Sequence, residues 1–194
     1  MSVTEFLLKP QIFSLIRPFF HNGFEGRKKI IEELNIISEE KIIDIACGVG
    51  TFSTLVPGEY TGIDINTNFI NFAKRKYKKN FLVADASNLK MFNDKSFDKA
   101  LVIDCIHHLS DDKVKKILQE TCRITKNKIL IIDVAEQTKN NFIGKFLLKM
   151  DVGKFTRTSS KLKNIISQFL DIEKEIIFGS GFYKEIAFIG LPKK

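Results

Sequence analysis

Acidic residues stand at the ends of several predicted strands, where they could bind hydroxyl or amine groups. Each of them closes or follows an apolar run, and the set is Asp64, Asp85, Asp104 and Asp133. A carboxylate offers two acceptor oxygens and no donor. Because ligands of open α/β sheets bind at the carboxyl ends of the strands, these residues predict a polar ligand at that edge.

Two adjacent histidines follow the third of these residues, in the run Asp104-Cys105-Ile106-His107-His108-Leu109. Imidazole titrates near neutrality, so it can take a proton from a hydroxyl or an amine. Asp133 is expected at the end of the neighbouring strand, where its carboxylate could orient an imidazole. We therefore predict His107 as the first choice for a general base and His108 as the second, with Asp133 as the orienting partner. The alternative is a histidine that only closes the loop.

A glycine-bearing loop follows the first predicted strand, in the segment Lys41–Ser53, KIIDIACGVGTFS. Its apolar start is typical of a buried parallel strand. Small residues let the backbone approach a ligand closely, and the free N–H groups at the start of the next helix can bind acceptors. The segment predicts the nucleotide-binding corner of a doubly wound sheet.

The corner does not fit the dinucleotide fingerprint, which requires G-x-G-x-x-G and an acidic residue about 20 positions further on. The third glycine is absent, because Gly48-Val49-Gly50 continues into Thr51-Phe52-Ser53. Asp64 comes too early, and Asp44 inside the strand has no role in holding a pyrophosphate. An NAD-dependent reductase is therefore disfavoured. A strand and turn that bind no ligand remain the structural alternative.

The segments around the loop alternate between strand and helix patterns. Helices are predicted at Glu25–Leu34, Asn68–Lys79, from Ser110 to about Thr125 and at Lys161–Leu170. Strands are predicted at Tyr60–Ile65, Phe81–Ala84, within Ser96–Asp104 and at Lys128–Val134. This alternation predicts βαβ units, a parallel sheet and right-handed crossovers. Ile172–Phe178 and Tyr183–Leu191, joined by Gly179-Ser180-Gly181, predict an antiparallel hairpin.

Two segments lie outside the alternation. Residues 1–29 are rich in large apolar groups, and Pro10 and Pro18 should limit them to short helical pieces that cover something apolar. Residues 135–170 are read as a cap insertion, with a helix at Phe142–Met150 and a loop at Asp151–Ser160. We expect the 194 residues to form a single domain with a lid-like N-terminal segment.

The loop motif resembles that of the class I S-adenosylmethionine-dependent methyltransferases, of the small-molecule, type 11-like group. Their first motif has the form D-x-G-x-G-x-G, and here it reads Asp44-Ile45-Ala46-Cys47-Gly48-Val49-Gly50, with Ala46 in place of the first glycine. The resemblance extends over roughly Ile30–Leu191. It implies a Rossmann-like, doubly wound, mostly parallel seven-stranded sheet with an antiparallel last strand, a helical N-terminal segment and a cap insertion.

The resemblance also implies S-adenosyl-L-methionine as the cofactor and a role for each motif residue. Asp44 and the backbone of Ala46, Cys47, Gly48 and Gly50 would hold its amino-acid end, and Asp64 would accept hydrogen bonds from both ribose hydroxyls. Asp85 and Ala86 would flank the adenine, with Ile65 and Leu89 on either side of the ring. Asp104 closes the fourth strand, where methyl donor and acceptor meet. N-terminal segments often fold over the cleft in this family, so Arg17 and Arg27 could reach the cofactor carboxylate or remain solvated.

The expected reaction is methyl transfer to an oxygen or nitrogen of a small-molecule or lipid-like acceptor. The Asn-Pro-Pro-Tyr or Asp-Pro-Pro-Tyr signature of amino-methylating nucleic-acid enzymes is absent from the sequence, so nucleic acid is not the expected acceptor. The alternative is a noncatalytic cofactor-binding or RNA-binding module on the same fold.

Composition restricts the remaining classes. The net charge of +8 leaves nucleic acid or peripheral contact with an anionic membrane surface open, although a Lys-rich surface explains it more simply. Cys47, Cys105 and Cys122 lie far apart, as expected of reduced thiols in a cytoplasmic protein without a metal site. The sequence contains no 18-residue apolar run, and we read no membrane span and no signal peptide.

Overall fold

A seven-stranded sheet organises the fold. We describe it from a computed structural model of the chain, which describes residues 9–134 and 155–193. The strands are β1 Lys41–Ile45, β2 Glu59–Asp64, β3 Asn80–Val83, β4 Lys99–Ile103, β5 Ile129–Val134, β6 Leu170–Ser180 and β7 Tyr183–Pro192. Their order is β3-β2-β1-β4-β5-β7-β6, with β1 to β5 parallel and β7 antiparallel to both of its neighbours. The predicted mostly parallel sheet with an antiparallel last strand is confirmed.

Five helices flank the sheet in the described residues. They are α1 Pro10–Phe20, α2 Glu25–Glu32, α3 Thr67–Lys76, α4 Asp111–Ile124 and α5 Ser159–Ile166. Among the helices of these two described stretches, none combines the length and the apolar composition needed to cross a bilayer. The predicted helix at Phe142–Met150 and most of the cap insertion lie outside the described residues.

Each face of the sheet carries its own apolar core. The central strands β4 and β5 are buried along their whole length, as expected for strands covered on both sides. On one face, α4 and α5 contribute Val114, Leu118, Leu162 and Ile166. On the other face, α2 and α3 contribute Ile30, Ile31, Ile70 and Ala73. The two layers of helices leave the carboxyl ends of the parallel strands as the edge where a ligand can enter.

Two predicted helical features differ in the structure. Thr51–Leu55 was expected to open a helix but forms only a 3-10 turn. Pro57 restricts Val56 to extended backbone, and Val56 has φ −102° and ψ 108°, so the turn cannot continue. In the N-terminal segment, Pro10 starts α1, and Pro18 lies inside α1, which continues to Phe20.

Candidate active site

A cleft lies at the carboxyl ends of β1, β2, β3 and β4. It consists of two adjoining cavities of about 240 Å³ and about 150 Å³. Both cavities are lined by Ala46, Asp64, Ile65, Cys105 and Leu109, so they form two parts of one groove. The N-terminal helices close the larger cavity from above with Phe13, Arg17, Phe24 and Arg27.

The loop after β1 bends because three of its residues adopt left-handed backbone conformations. Ala46 has φ 57°, Gly48 56° and Gly50 75°. This conformation favours glycine, so Ala46 carries local strain at the edge of the cleft. A Cβ atom added to Gly48 would meet nothing within 4 Å, because that side of the residue faces the open cavity. The backbone at Gly48 is therefore open to a ligand.

Gly50 has a different reason to be glycine. A Cβ atom there would lie 2.6 Å from Cε1 and 2.8 Å from Cζ of Phe81, and 3.1 Å from Cβ of Ala73. Gly50 does not line either cavity of the cleft, whereas Cys47 and Gly48 line the larger one. Close packing under the loop thus accounts for glycine at this position, and ligand contact at Gly50 stays a prediction.

Asp44 lies inside β1 and is only 1% exposed, yet it borders the larger cavity. The hydroxyl of Tyr60 donates a hydrogen bond of 2.6 Å to its Oδ2 atom. Burial raises the pKa of Asp44 to about 7; the Tyr60 hydrogen bond opposes the rise and the nearby charge of Asp64 adds to it. A cationic group that enters the cavity would therefore stabilise the ionised form of Asp44.

Asp64 at the end of β2 lines both cavities and ties the loop to the neighbouring strand. Its Oδ2 accepts a hydrogen bond of 2.9 Å from the Gly48 backbone N–H, and its Oδ1 accepts one of 2.8 Å from that of Asn66. Burial raises its pKa. The side chain of Asn66, not that of Asp64, caps α3, since it accepts from the N–H groups of Asn68 and Phe69. The Asp64 carboxylate is thus placed in the cleft and not on the helix end.

The smaller cavity is bordered by Asp85 and Ala86, the two residues that were predicted to flank an adenine. Asp85 is exposed, and its Oδ1 accepts hydrogen bonds from the backbone N–H of Ser87 at 2.9 Å and from its hydroxyl at 2.7 Å. These two hydrogen bonds lower the pKa of Asp85, so it is ionised at neutral pH.

The apolar walls of that cavity differ from the prediction. Ile65 is 71% exposed at the edge of the cavity, as expected of an apolar residue that a bound ligand would cover. Leu89 is fully buried in the core and does not line the cavity, so the expected contact between Leu89 and an adenine ring is wrong. Leu109 and Ile117 line the cavity instead. Leu109 ends the histidine run, which was the available sequence signal for its position.

Asp104 lies at the end of β4 in a left-handed conformation with φ 62°. Its Oδ2 forms ion pairs with Arg17 and with Arg27, the latter at 3.1 Å. Arg27 also binds Glu185 of β7, with Nε 2.8 Å from Oε2 and Nη2 2.5 Å from Oε1. Both arginines line the larger cavity, where they were expected to reach a cofactor carboxylate. In this structure they pair with carboxylates of the protein itself.

A buried polar network therefore joins the N-terminal helices to the sheet. Nδ1 of His21 lies 3.0 Å from Oε1 of Glu185 and 3.3 Å from Oγ of Ser180. Burial lowers the pKa of His21 to about 4, so it is neutral at pH 7. Burial raises the pKa of Glu185, but the charge of Arg27 and the hydrogen bonds from His21 and Arg27 outweigh that effect and lower it to about 2. Glu185 was missed by the sequence analysis, because nothing near it in the chain marks it as a partner.

The two histidines occupy different environments. His107 is 3% exposed, with Nδ1 2.6 Å from Oδ1 of Asp133 and its backbone N 3.1 Å from Oδ2. His108 is exposed and lines the larger cavity, whereas His107 lines neither part of the cleft. Their ring centroids are 4.0 Å apart. The structure brings the expected partners His107 and Asp133 together, but it places His108 at the cleft.

Asp104, His107 and Asp133 have ligand atoms within 4.8 Å of one another, a spacing that a metal ion could use. However, two guanidinium groups already pair with Asp104, and His107 Nδ1 is already bound to Asp133. The negative charge of the cluster is balanced by protein groups, so we assign no metal to it.

Comparison with known proteins points to one family. Residues 43–132 match the sequence model of a methyltransferase domain. A demethylmenaquinone methyltransferase of Thermotoga maritima is 31% identical over 127 residues, which cover 61% of this chain and 54% of the relative. A phosphoethanolamine N-methyltransferase of Plasmodium falciparum is 27% identical over 167 residues, covering 76% and 63%. The chain thus spans less than two thirds of either relative.

A solved structure supports the same fold. The crystal structure of a SAM-dependent methyltransferase from Archaeoglobus fulgidus superposes with a TM-score of 0.73 at 20% identity, covering 92% of this chain and 98% of that one. The matched residues 43–132 include the carboxyl ends of β1, β2, β3 and β4, which form the cleft. Because the sequence match falls on the cleft-forming part of a sheet with this strand order, these similarities support a class I S-adenosylmethionine-dependent methyltransferase.

Proposed function

We propose that the protein transfers a methyl group from S-adenosyl-L-methionine to an oxygen or nitrogen of a small-molecule or lipid-like acceptor. The observation that carries the proposal is the open backbone at Gly48, which faces a cavity lined by the carboxylates of Asp44 and Asp64. A cofactor with an ammonium group at its amino-acid end and a ribose diol needs this combination of close backbone approach and acceptor oxygens.

The two parts of the cleft fit the two ends of such a cofactor. Asp44 and the backbone of residues 46–48 would hold the amino-acid end in the larger cavity. Asp64, which lines both cavities, would accept hydrogen bonds from the ribose. Asp85 and Ala86 would border the adenine, with Ile65 and Leu109 as apolar walls. When bound, the cofactor supplies an activated methyl group on a sulfonium.

The remaining walls of the larger cavity suit the acceptor. Phe13 and Phe69 stack with their ring centroids 5.1 Å apart, and both line the cavity. His108 is the titratable imidazole on the same lining. The acceptor would pack its apolar part on the two rings and present its nucleophilic atom near His108, which would accept the proton. The names of the two relatives, for demethylmenaquinone and phosphoethanolamine, support a small-molecule or lipid-like acceptor.

Most of the catalytic effect would come from positioning and from exclusion of water. The methyl group is already activated, so the protein has to hold donor and acceptor in line. The buried pair of His107 and Asp133 lies behind His108, whose ring contacts that of His107. This arrangement supports His108 as the acceptor-side base and His107 with Asp133 as its support.

A noncatalytic RNA-binding module is the second candidate, because the last turn of α3 exposes Lys74, Arg75 and Lys76. This basic run precedes β3, so it lies at the amino end of the strands, opposite the cleft. We therefore do not assign the basic run to the acceptor.

The experiment that tests the proposal uses cofactor carrying a radioactive methyl group and a cell extract divided into metabolite, lipid and nucleic-acid fractions. We expect label in a metabolite or lipid product, with much less label when the Asp64→Asn variant is used. Label confined to the nucleic-acid fraction would contradict the proposed acceptor class. Cofactor binding without transfer to any fraction would favour a noncatalytic module.

We also propose a cytoplasmic location. All three cysteines, Cys47, Cys105 and Cys122, are buried free thiols. Free buried thiols in all three positions are typical of a reducing compartment.

A further inference from the structure

The loop after β4 presents both His108 and Leu109 to the cleft. Its own support is limited to a single 3-10 turn, Ile106–His108, with backbone hydrogen bonds of 3.2 Å from His108 to Cys105 and 3.0 Å from Leu109 to Ile106. Such short turns have poorer hydrogen-bond geometry than an α-helix. The position of the two side chains therefore depends on groups outside the loop.

One side of this loop is held by Asp133. Its carboxylate binds both the backbone N and the ring Nδ1 of His107, at 3.1 Å and 2.6 Å. These bonds fix the middle of the turn to the end of β5. The Ile106 carbonyl already accepts the Leu109 N–H within the turn and can accept one more hydrogen bond, whereas the Leu109 carbonyl has to be bound from outside the turn.

Arg157 binds both of these carbonyl groups. Its Nη1 donates to the Ile106 carbonyl at 3.0 Å, and its Nη2 donates to the Leu109 carbonyl at 2.6 Å. Its Nε donates to Oδ1 of Asp111, the first residue of α4, at 2.8 Å. The backbone N–H of Phe155 adds a hydrogen bond of 3.0 Å to the His107 carbonyl. Arg157 thus spans the whole turn and anchors it to the next helix.

Burial makes these contacts strong. Arg157 is 6% exposed, although it is a charged residue on the segment that leads into α5. A buried guanidinium requires partners for its donors, and its planar fork can bind several acceptors at fixed angles. A lysine carries all its donors on one atom, so it could not bind all of these separate acceptors at once.

We propose that Arg157 is a positioning residue of the methyl-transfer site: it sets the place of His108 and Leu109 in the cleft, although it lines neither cavity. This inference rests on the proposed function for its catalytic consequence. The placement of His108 by Arg157 is a separate claim, which can be measured without any acceptor.

Arg123, in the last turn of α4, provides a matched comparison. Its Nη2 donates to the Leu89 carbonyl at 2.9 Å, its Nη1 to the Phe92 carbonyl at 3.0 Å, and its Nε to Oε1 of Glu120 at 2.8 Å. It therefore holds the chain that follows Asp85 and Ala86, which border the smaller cavity. The two arginines have similar bonding, but they support loops next to different parts of the cleft.

The test compares Arg157→Lys with Arg123→Lys in the full chain. For Arg157→Lys we expect a shifted imidazole NMR signal and an altered titration midpoint of His108. We expect turnover at least about tenfold lower once an acceptor is found, and a smaller loss of S-adenosylhomocysteine affinity, because Leu109 also borders the smaller cavity. For Arg123→Lys we expect the reverse: an unchanged His108 signal and weaker S-adenosylhomocysteine binding.

An unchanged His108 signal and midpoint in folded Arg157→Lys would overturn the proposal. So would equal losses of affinity and turnover in both variants, because that result indicates a general structural role. If Arg157→Lys does not fold, the Asp111→Asn variant tests the same set of Arg157 contacts. It removes the charge of one Arg157 partner, so it should also shift the imidazole signal of His108. Absence of S-adenosylhomocysteine binding to the wild type would contradict the proposed function but leave the His108 readout valid.

Discussion

Asp44 is a residue whose burial lowers the stability of the free protein but suits the binding of a cationic group. Its carboxyl is buried beside the cavity, with Tyr60 as its hydrogen-bond donor, and its pKa is raised to about 7. In the folded protein without ligand, ionising this group is costly because water is excluded. A cationic group of a cofactor in the cavity would offset that cost. The residue is thus better suited to the bound state than to the free one.

The substitution Asp44→Asn should therefore change the stability of the protein in a pH-dependent way. The folded pKa of about 7 exceeds the ordinary value of 3.8, so the stability due to proton uptake is complete below pH 3.8 and is lost as pH rises through 7. The free energy of unfolding of the variant, relative to that of the wild type, should therefore rise by about 1–3 kcal/mol between pH 5 and 8. Urea unfolding at both pH values measures this. A gain independent of pH would show that Asp44 is ionised in both states.

The two glycines of the loop give a second prediction. In Gly48→Ala the new methyl group enters open space in the cleft, so S-adenosylhomocysteine affinity should fall at least about tenfold; the left-handed backbone adds about 1–2 kcal/mol of destabilisation. In Gly50→Ala the methyl group meets the Phe81 ring, so the main effect should be on thermal unfolding. Calorimetry and thermal unfolding of both variants separate the two effects. Normal binding by folded Gly48→Ala would show that the ligand does not approach there.

The histidine pair gives a third prediction, which reverses the order expected from sequence. His108→Ala should retain S-adenosylhomocysteine affinity and lose turnover by about 10²- to 10⁴-fold, the usual value of general-base help. His107→Ala should lower the free energy of unfolding, because it leaves the Asp133 carboxylate buried without its imidazole partner. Full turnover in His108→Ala would indicate an acceptor that needs no base.

At the scale of elements, the N-terminal helices are held to the sheet by buried charge. Arg27 of α2 pairs with Glu185 of β7 and with Asp104 at the end of β4. The same helices contribute Phe13 and Arg17 to the cavity. The buried network therefore fixes the upper wall of the cleft.

Glu185→Gln should consequently destabilise the fold by about 2–4 kcal/mol, because it leaves the Arg27 guanidinium buried with less compensation. The pKa of Glu185 is lowered from 4.5 to about 2, so its contribution is present above pH 4.5 and is lost as pH falls towards 2. The destabilisation should thus be larger at pH 7 than at pH 3. Glu175→Gln on β6 is the control: it removes a more exposed pair with Lys163 and should cost at most about 1 kcal/mol. Equal effects of the two variants on urea unfolding would contradict a special role for Glu185.

Local patterns in the sequence predicted most of these elements but not their long-range contacts. The βαβ alternation and the last hairpin could be read from apolar runs and glycines, because each depends on neighbouring residues. The bond between Arg27 and Glu185 joins residues 158 positions apart, so no local pattern marks it. The choice between His107 and His108 also needed the structure, because successive side chains of a 3-10 turn point about 120° apart and only one can face the cleft.

Across the whole molecule, the cleft lies at the carboxyl ends of the strands and the basic run of α3 lies towards their amino ends. The cleft is formed by the carboxyl ends of β1 to β4, whereas the basic run of α3 precedes the start of β3. The three basic residues of this run therefore do not line the candidate active site. Substrate selection should depend on the walls of the cleft more than on overall charge.

The central claim is that this cleft binds S-adenosylmethionine and not a dinucleotide. Calorimetric titration of the wild type with S-adenosylhomocysteine and, separately, with NADH tests it most directly, with Asp64→Asn as the matched variant. We predict binding of S-adenosylhomocysteine, none of NADH, and at least tenfold weaker binding by folded Asp64→Asn, since charge-assisted hydrogen bonds are worth about 1.5–3 kcal/mol each. Binding of NADH, or unchanged S-adenosylhomocysteine affinity in the variant, would contradict the assignment.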